Sequence, residues 1–199
     1  MHHAVILAHP KPTSFCGAVA RTCAEHLRAM NHKVIVRDLY ALDFDPRLKA
    51  DELPTASGAV AAADVIAERG LLADVSNFIF VYPFWFNAPP AMLKGYVDRV
   101  FGMGFGYAPM GGGAEPLLDG KTLLSFSTSG APDAWVNSTG ALKALMTVFD
   151  LHVSGVCGLR VLDHKHFGGV VSNMTEESGD EILEQVRTRL DDLFEPALT

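Results

Sequence analysis

Residues His3–Met30 read HAVILAHPKPTSFCGAVARTCAEHLRAM, and the two halves carry different periods. His3 to Ala8 is a short, nearly continuous apolar run, the pattern of a strand covered on both faces in a parallel sheet. From Ser14 the apolar residues recur as Phe15, Val19, Cys23 and Leu27, which predicts one buried face of a helix over Ser14 to Met30. Ser14 suits the N-cap and Arg28 suits the last turn. A buried strand that feeds an amphipathic helix is the first half of a strand–helix–strand unit with a right-handed crossover.

The alternation continues along the chain. Lys33 to Arg37, Asn77 to Tyr82, Thr122 to Phe126 and His152 to Cys157 read as further strands. Val60 to Ala73, Pro90 to Phe101, Ala134 to Phe149 (interrupted at Gly140) and Thr175 to Leu193 read as helices. This pattern predicts an α/β fold: a doubly wound five-stranded parallel sheet in the order 2-1-3-4-5, with helices on both faces. Gly102 to Gly113 is a long Gly-rich excursion, expected to cover a site mouth rather than to divide domains. Residues 1–199 are therefore expected to form a single domain.

Composition narrows the function. The chain has 199 residues, 49% of them hydrophobic and 20% charged, which excludes a disordered chain. A chain this long buries roughly 70% of its unfolded surface without staples. A net charge of -7 argues against a nucleic-acid partner. Cys16, Cys23 and Cys157 form no close pair and no disulfide framework, which fits a reducing compartment. Ala4 to Ala8 is too short for a signal-peptide core, and prolines 83, 89 and 90 interrupt the most apolar stretch. A soluble, cytoplasmic protein without a membrane span is expected.

In open sheets of this order, ligands bind beyond the carboxyl ends of the first and third strands. After the first strand, His9-Pro10-Lys11-Pro12-Thr13-Ser14-Phe15 opens a helix, whose free N–H groups and dipole favour a phosphate. It equally suits an ordinary turn in which Ser14 only caps. Neither GxGxxG nor GxxxxGK[ST] is present. Four residues separate Cys16 from Arg21, one short of a phosphatase loop, so Cys16 reads as a buried small side chain. After the third strand comes Tyr82-Pro83-Phe84-Trp85-Phe86-Asn87-Ala88-Pro89-Pro90, an aromatic loop stiffened by prolines. It suits a planar ring carried on a phosphate tail, such as the isoalloxazine of a flavin; a hydrophobic plug or a dimer contact is the other reading. Ser127-Thr128-Ser129-Gly130, after the fourth strand, suits close approach to a ring edge or a plain turn. Asp163, His164 and His166 sit in an expected loop without the spacing of a helical zinc site, and no metal is expected. His152 reads as a core histidine.

The stretches AHPKPTSF (Ala8 to Phe15), DLYALDFDP (Asp38 to Pro46), the Pro83 to Phe86 loop, PAMLKGYVDRVF (Pro90 to Phe101) and GFGY (Gly104 to Tyr107) run in one order over the first two-thirds of the chain. In these the chain resembles the NAD(P)H:quinone oxidoreductase family, on the flavodoxin-like fold. The resemblance implies that His9, Thr13, Ser14 and Phe15 hold the phosphate end of a flavin. It implies that Pro83, Phe84, Trp85 and Phe86 cradle the ring, that Ser127, Thr128, Ser129 and Gly130 form the third loop, and that Asp98 meets a partner's cofactor. Trp85, Phe86, Tyr107 and Trp135 are the candidate substrate walls, and the resemblance implies that Tyr107 reaches into a neighbouring subunit of a homodimer. The implied cofactor is FAD, with FMN as the alternative, and NAD(P)H is the reductant.

The implied reaction is a ping-pong, two-electron reduction of a small quinone-like acceptor, in which the flavin carries the hydride and no side chain is the catalyst. An ancillary regulatory flavoprotein of a potassium-efflux system and a flavodoxin-like electron carrier are the alternatives. The Gly102 to Gly113 excursion with Tyr107 speaks against the carrier. Two departures stand out. Ala131 to Ala141 holds Trp135 and no Tyr or His, where some relatives relay charge through those residues. Asn87 stands where many have an aromatic.

Overall fold

The computed structural model describes residues 1–53 and 60–195. Strands β1 (His2–Leu7), β2 (Lys33–Asp38), β3 (Asn77–Pro83), β6 (Thr122–Thr128) and β7 (Arg160–Phe167) form one parallel sheet in the order β2-β1-β3-β6-β7. Strands β4 (Tyr107–Met110) and β5 (Gly113–Pro116) form a separate antiparallel hairpin. The Gly102 to Gly113 excursion therefore holds β4 and leads into β5, a hairpin which the expected 2-1-3-4-5 numbering did not contain. Helices α1 (Phe15–Ala29), α2 (Ala63–Leu72), α3 (Ala91–Val100) and α7 (Glu176–Leu193) match expected helices, with α2 starting later than Val60.

The expected strand over His152 to Cys157 is a correction: those residues are helix α6 (His152–Cys157). Its apolar run is too short for periodicity to tell a strand from a helical turn. Gly158, with φ 80, ends that helix in a left-handed cap and turns the chain into β7. The helix expected over Ala134 to Phe149 is also divided. It consists of α4 (Asp133–Ser138), a break at left-handed Gly140 (φ 69), α5 (Ala141–Leu145) and a π-helical turn (Met146–Leu151) that runs into α6. His164 and His166 lie in β7, not in a loop, and His152 is exposed rather than in the core.

The alternation of strand residues divides the core into two. Val5, Leu7, Ile79, Val81, Leu124 and Phe126 pack with α1 and α7 residues such as Val19, Leu27, Val186 and Leu190. Ala4, Ile6, Phe78, Phe80 and Tyr82 pack with α2 and α3 residues such as Val65, Leu72, Leu93 and Tyr96. Strands β3 and β6 are buried along their whole length, as their continuous apolar runs require. Leu7 pairs with Val81, Pro83 with Thr128, and Thr128 with Phe167, so the loops after β1, β3, β6 and β7 emerge at one edge. Among the described residues, no helix is long and apolar enough to cross a membrane.

Two of the stretches quoted for the resemblance are pressed together. A Cβ on Gly95 would lie 2.0 Å from the Pro46 carbonyl oxygen, so only glycine lets α3 approach that segment. The buried Arg99 donates to the Asp45 carbonyl at 2.6 Å and stacks over Phe44 at 5.2 Å. Arg69 of α2 donates to the carbonyls of Arg99, Val100 and Met103, satisfying the C-terminal end of α3.

At the opposite edge of the sheet, His3 and His32 stack with centroids 4.9 Å apart and Phe194 closes over them. His32 Nε2 donates to the Glu195 carbonyl at 2.9 Å, so its Nδ1 accepts from His3 Nε2 at 2.8 Å. His3 Nδ1 is then buried without a partner. Burial, helped by His32, lowers the His3 pKa from 6.5 to about 3. Between those values the unfolded chain binds a proton that the folded one refuses. This contribution to stability is intact above about pH 6.5 and falls by about 1.4 kcal/mol per unit as pH drops toward 3. Urea unfolding at about pH 7 and pH 5 should show a clearly smaller loss in a His3→Leu variant than in the parent chain. Equal losses in both would show that the pair does not titrate with folding.

Candidate functional site

The first loop is folded on itself before the helix begins. Ala8 donates to Val81 at 3.0 Å, Lys11 N–H donates to His9 Nδ1 at 3.0 Å, and Ser14 N–H donates to the Lys11 carbonyl at 3.0 Å. Ser14 is the N-cap, its Oγ accepting from Gly17 N–H at 3.1 Å. A Cβ on Gly17 would meet the Pro12 carbonyl at 2.9 Å, so the loop lies close over the first turn. The N–H groups of Phe15 and Cys16 occupy the first helical positions, where α1 offers them no acceptor. They point, with the helix dipole, toward whatever anion lies in front of them. Partial burial lowers the His9 pKa, which keeps its ring neutral with the proton on Nε2 while Nδ1 accepts.

The aromatic loop is a tight turn. Ala88 N–H donates to the Trp85 carbonyl at 3.0 Å, and Phe86 and Asn87 both take left-handed conformations, with φ 48 and 59. Two successive positive φ values define a type I′ turn, and Asn is among the residues that tolerate that region best. This gives Asn87 a backbone reason for standing where the resemblance expects an aromatic. The turn leaves the N–H groups of Phe86 and Asn87 outside its own hydrogen bond and projects the Phe86 ring wholly into solvent. Trp85 is 45% exposed, with its ring 5.7 Å from that of His9. Phe84 is buried, meets His166 edge-on at 5.3 Å, and donates its N–H to the Thr128 carbonyl at 2.7 Å.

The third loop is tied to the first. Thr128 Oγ1 and Cys16 Sγ lie 3.2 Å apart, linking β6 to α1. Burial pushes the Cys16 thiol up to about 11, so it is a buried neutral group and not a nucleophile. Ser129 N–H donates to the Phe167 carbonyl at 3.0 Å and Val170 N–H donates to the Ser129 carbonyl at 2.9 Å, which folds the segment after β7 against the loop.

These links make one crevice, lined by His9, Phe15, Cys16, Pro83, Phe84, Trp85, Thr128, Ser129, Gly130 and Val170. Cys16 and Val170 are additions to the residues expected from sequence. Ser14 acts as the cap, Ser127 is buried in β6, and Thr13 and Phe86 are exposed. Asp98, Tyr107 and Trp135 do not line it. Asp98 pairs with Lys94 at 2.6 Å, and both line a separate groove with Tyr107, Val97, Phe101 and Phe149. Trp135 is half exposed on α4.

Beneath the third loop runs a buried polar chain that the sequence did not disclose. Ser127 Oγ lies 2.7 Å from His164 Nε2 and 2.8 Å from His166 Nδ1. His164 Nδ1 meets Asp150 Oδ2 at 2.5 Å, and Ser125 donates to Asp150 Oδ1 at 2.8 Å. His166 Nε2 lies 3.0 Å from Ser129 Oγ, which itself donates to the Ala131 carbonyl at 2.8 Å. The signal was the spacing of the two histidines, which puts both on one face of a strand. They are committed to these contacts. Among the described residues no group of three His, Cys, Asp or Glu side chains is placed to hold a metal ion.

A family model described as flavodoxin-like fold matches residues 1–192 of this chain. A Haemophilus influenzae protein named an uncharacterized NAD(P)H oxidoreductase is 31% identical over 85% of each chain. The NAD(P)H dehydrogenase [quinone] 1 of Rattus norvegicus is 26% identical over 96% of this chain and 77% of its own. Among solved structures, the NAD(P)H:quinone oxidoreductase from Methanothermobacter marburgensis superposes with a TM-score of 0.87 at 25% identity, covering 98% of this chain and 99% of that one.

Proposed function

The chain belongs to the NAD(P)H:quinone oxidoreductase family of the flavodoxin-like fold and is an oxidoreductase, and we propose that it reduces quinone-like acceptors by two electrons from NAD(P)H through a flavin seated in the crevice. The observation that carries this reading is the convergence, at one sheet edge, of a helix N-terminus, a half-exposed tryptophan wall and a small hydroxyl loop. The crevice opens to solvent. Its donor set fits a flavin: unpaired backbone N–H groups at an anion-binding end and an aromatic face at the other.

When bound, a flavin supplies hydride acceptance from a nicotinamide and two-electron delivery to a quinone. The chain supplies the rest. Phe15 and Cys16 N–H groups would hold the phosphate end, with the Ser14 hydroxyl proton free to add a donor. Trp85 and Phe84 would orient the ring, and the Phe86 and Asn87 N–H groups would face its polar edge. The left-handed turn fixes those N–H groups before any ligand arrives, which lowers the ordering cost of binding. Trp85 and Phe86 would also shape the acceptor's face. Tyr107 and Asp98, lying apart from the crevice of their own chain, support a homodimer in which each would serve the partner's site. FAD is the proposed cofactor, with FMN as the alternative. The second substrate would replace the first at the same position, a ping-pong scheme, in the cytoplasm.

The experiment is anaerobic titration of the purified holoprotein with NADPH and with NADH, followed by a quinone. The flavin absorbance should be lost with at least one nicotinamide, without an added reductase, and return with the quinone. Initial rates at several quinone concentrations should give parallel double-reciprocal lines. Heat release and chromatography should identify FAD. A protein that retains neither FAD nor FMN, or whose flavin no nicotinamide reduces, would overturn the reading.

A further inference from the structure

We propose that Asp150, His164, Ser127 and His166 form a proton relay that holds one extra proton in the buried layer beneath the crevice and moves it toward the third loop when negative charge arrives there. This rests on the crevice being the flavin site. It concerns residues outside the three binding loops, on β7 and the π-helical turn, apart from Ser127 at the end of β6.

Hydrogen-bond bookkeeping carries the inference. Asp150 is 1% exposed, and its carboxylate has two partners, the Ser125 hydroxyl and His164 Nδ1. A buried carboxylate needs a cation or several donors to remain charged. At the other end the Ser129 hydroxyl has a single proton and two acceptors in reach, His166 Nε2 and the Ala131 carbonyl, which also accepts from the Gly169 N–H at 2.9 Å; the relay places that proton on Ala131. With the proton there, His166 Nε2 donates to Ser129 Oγ; were it turned to His166 Nε2 instead, the chain would be satisfied with both rings neutral, and the nitrogen-15 measurement below tells the two apart. The first placement leaves His166 Nδ1 as an acceptor for the Ser127 hydroxyl proton, and Ser127 Oγ as an acceptor for a proton on His164 Nε2. In the proposed arrangement His164 carries protons on both nitrogens, facing the Asp150 carboxylate. Every contact in the chain is satisfied in this arrangement.

One concerted shift gives a second arrangement with equal satisfaction. The proton on His164 Nε2 passes to Ser127 Oγ while the Ser127 hydroxyl proton passes to His166 Nδ1. The hydroxyl then rotates to donate back to His164 Nε2. No proton is gained or lost, and the positive charge moves from beside Asp150 to His166, which touches Ser129 and Phe84. The other groups that face the pair are few. Tyr82 packs edge-on to His164 at 6.0 Å with its own buried hydroxyl unpartnered, and Asp133, held by the Gly168 N–H at 2.8 Å, acts on His166 from the first turn of α4. Burial lowers the His166 pKa, which disfavours a charge on that ring while the crevice is neutral. Negative charge on a flavin held in the crevice would reverse that preference, because a buried charge is strongly felt across a few ångströms of low-dielectric protein.

The test is nitrogen-15 NMR of histidine-labelled protein, which reads the proton content of each ring nitrogen. In flavin-free protein near pH 7, His164 should show two protonated nitrogens and His166 a bare Nδ1. After the flavin-loaded protein is reduced by dithionite, His166 should show two protonated nitrogens and His164 one. Ser127→Ala should abolish this redox-linked shift and slow reduction by NADPH by roughly 10-fold or more, at unchanged nicotinamide affinity, and Ser127→Thr should restore both. Asp150→Asn should leave both rings neutral. His164 singly protonated in flavin-free protein, or a shift that survives in Ser127→Ala, would overturn the relay. A protein that holds no flavin would instead overturn the functional reading and the redox-linked shift, while the held proton is still judged in flavin-free protein.

Discussion

Trp85→Ala should weaken flavin binding by roughly 70-fold and leave the melting temperature almost unchanged. The Trp85 side chain is about half exposed and, among the described residues, meets a protein ring only at His9. Deleting it from the flavin-free chain therefore removes little packing, and the cost to folding should stay below about 1 kcal/mol. A flat ligand would cover roughly 100 Å² of the ring, which at about 25 cal/mol per Å² is worth about 2.5 kcal/mol. That converts to the stated change in Kd. Fluorescence titration of FAD and FMN into apoprotein reads the affinity, and thermal unfolding of the same sample reads the stability. Trp85→Phe should recover much of the loss, because it keeps a stacking face. If melting collapses while affinity per folded molecule is unchanged, Trp85 is packing and the crevice is not where the ring lies.

The contrast between the parts of the chain that sequence disclosed and those it did not has a physical basis. β1 and α1 are legible because the period changes at Ser14, a residue that also caps the helix. β3 and β6 are legible because both their faces are buried, so that their apolar runs are unbroken. β7 is an edge strand, covered chiefly at its carboxyl end, and ArgValLeuAspHisLysHisPhe lacks the run that marks a central strand. The apolar HisValSerGlyValCys stretch just before it took that role in the sequence and is a helix in the structure.

The same difference explains the site. Loops at strand ends can be located once the strands are known, so the residues around His9, Trp85 and Ser129 were identifiable. Which side chains lie beneath those loops depends on register. β6 and β7 shift register between Leu123 and Leu124, and only beyond that irregularity does Ser127 stand opposite His166. A one-residue slip there would turn both histidines to the other face. No single-sequence pattern marks such a shift. Sequence reasoning sought a histidine after the third loop and found none; the structure brings two from the neighbouring strand.

Arg99→Met should cost about 3–5 kcal/mol of stability, the usual penalty for stranding a buried charge, and lower the melting temperature by roughly 10 °C in a chain of this size. The Arg99 side chain is fully buried, and the guanidinium donates to Glu52, Asp64 and the Asp45 carbonyl. Asp64 is half exposed and can turn to water, whereas the Glu52 side chain is only 5% exposed and would be left as a buried carboxylate without its cation. The double variant Arg99→Met, Glu52→Gln should therefore be more stable than the single one, because it removes the charge together with its partner. Arg47→Ala, which breaks an exposed pair with Asp45 in the same segment, should change nothing measurable. The fold, not the site, carries the Arg99 effect: α3 begins directly after the aromatic loop, and Arg99 pins that helix to the Asp45 segment. Flavin affinity per folded molecule should thus fall far less than in Trp85→Ala. An Arg99→Met protein as stable as its parent would show that the 45–52 segment is held by Gly95 and Phe44 packing alone.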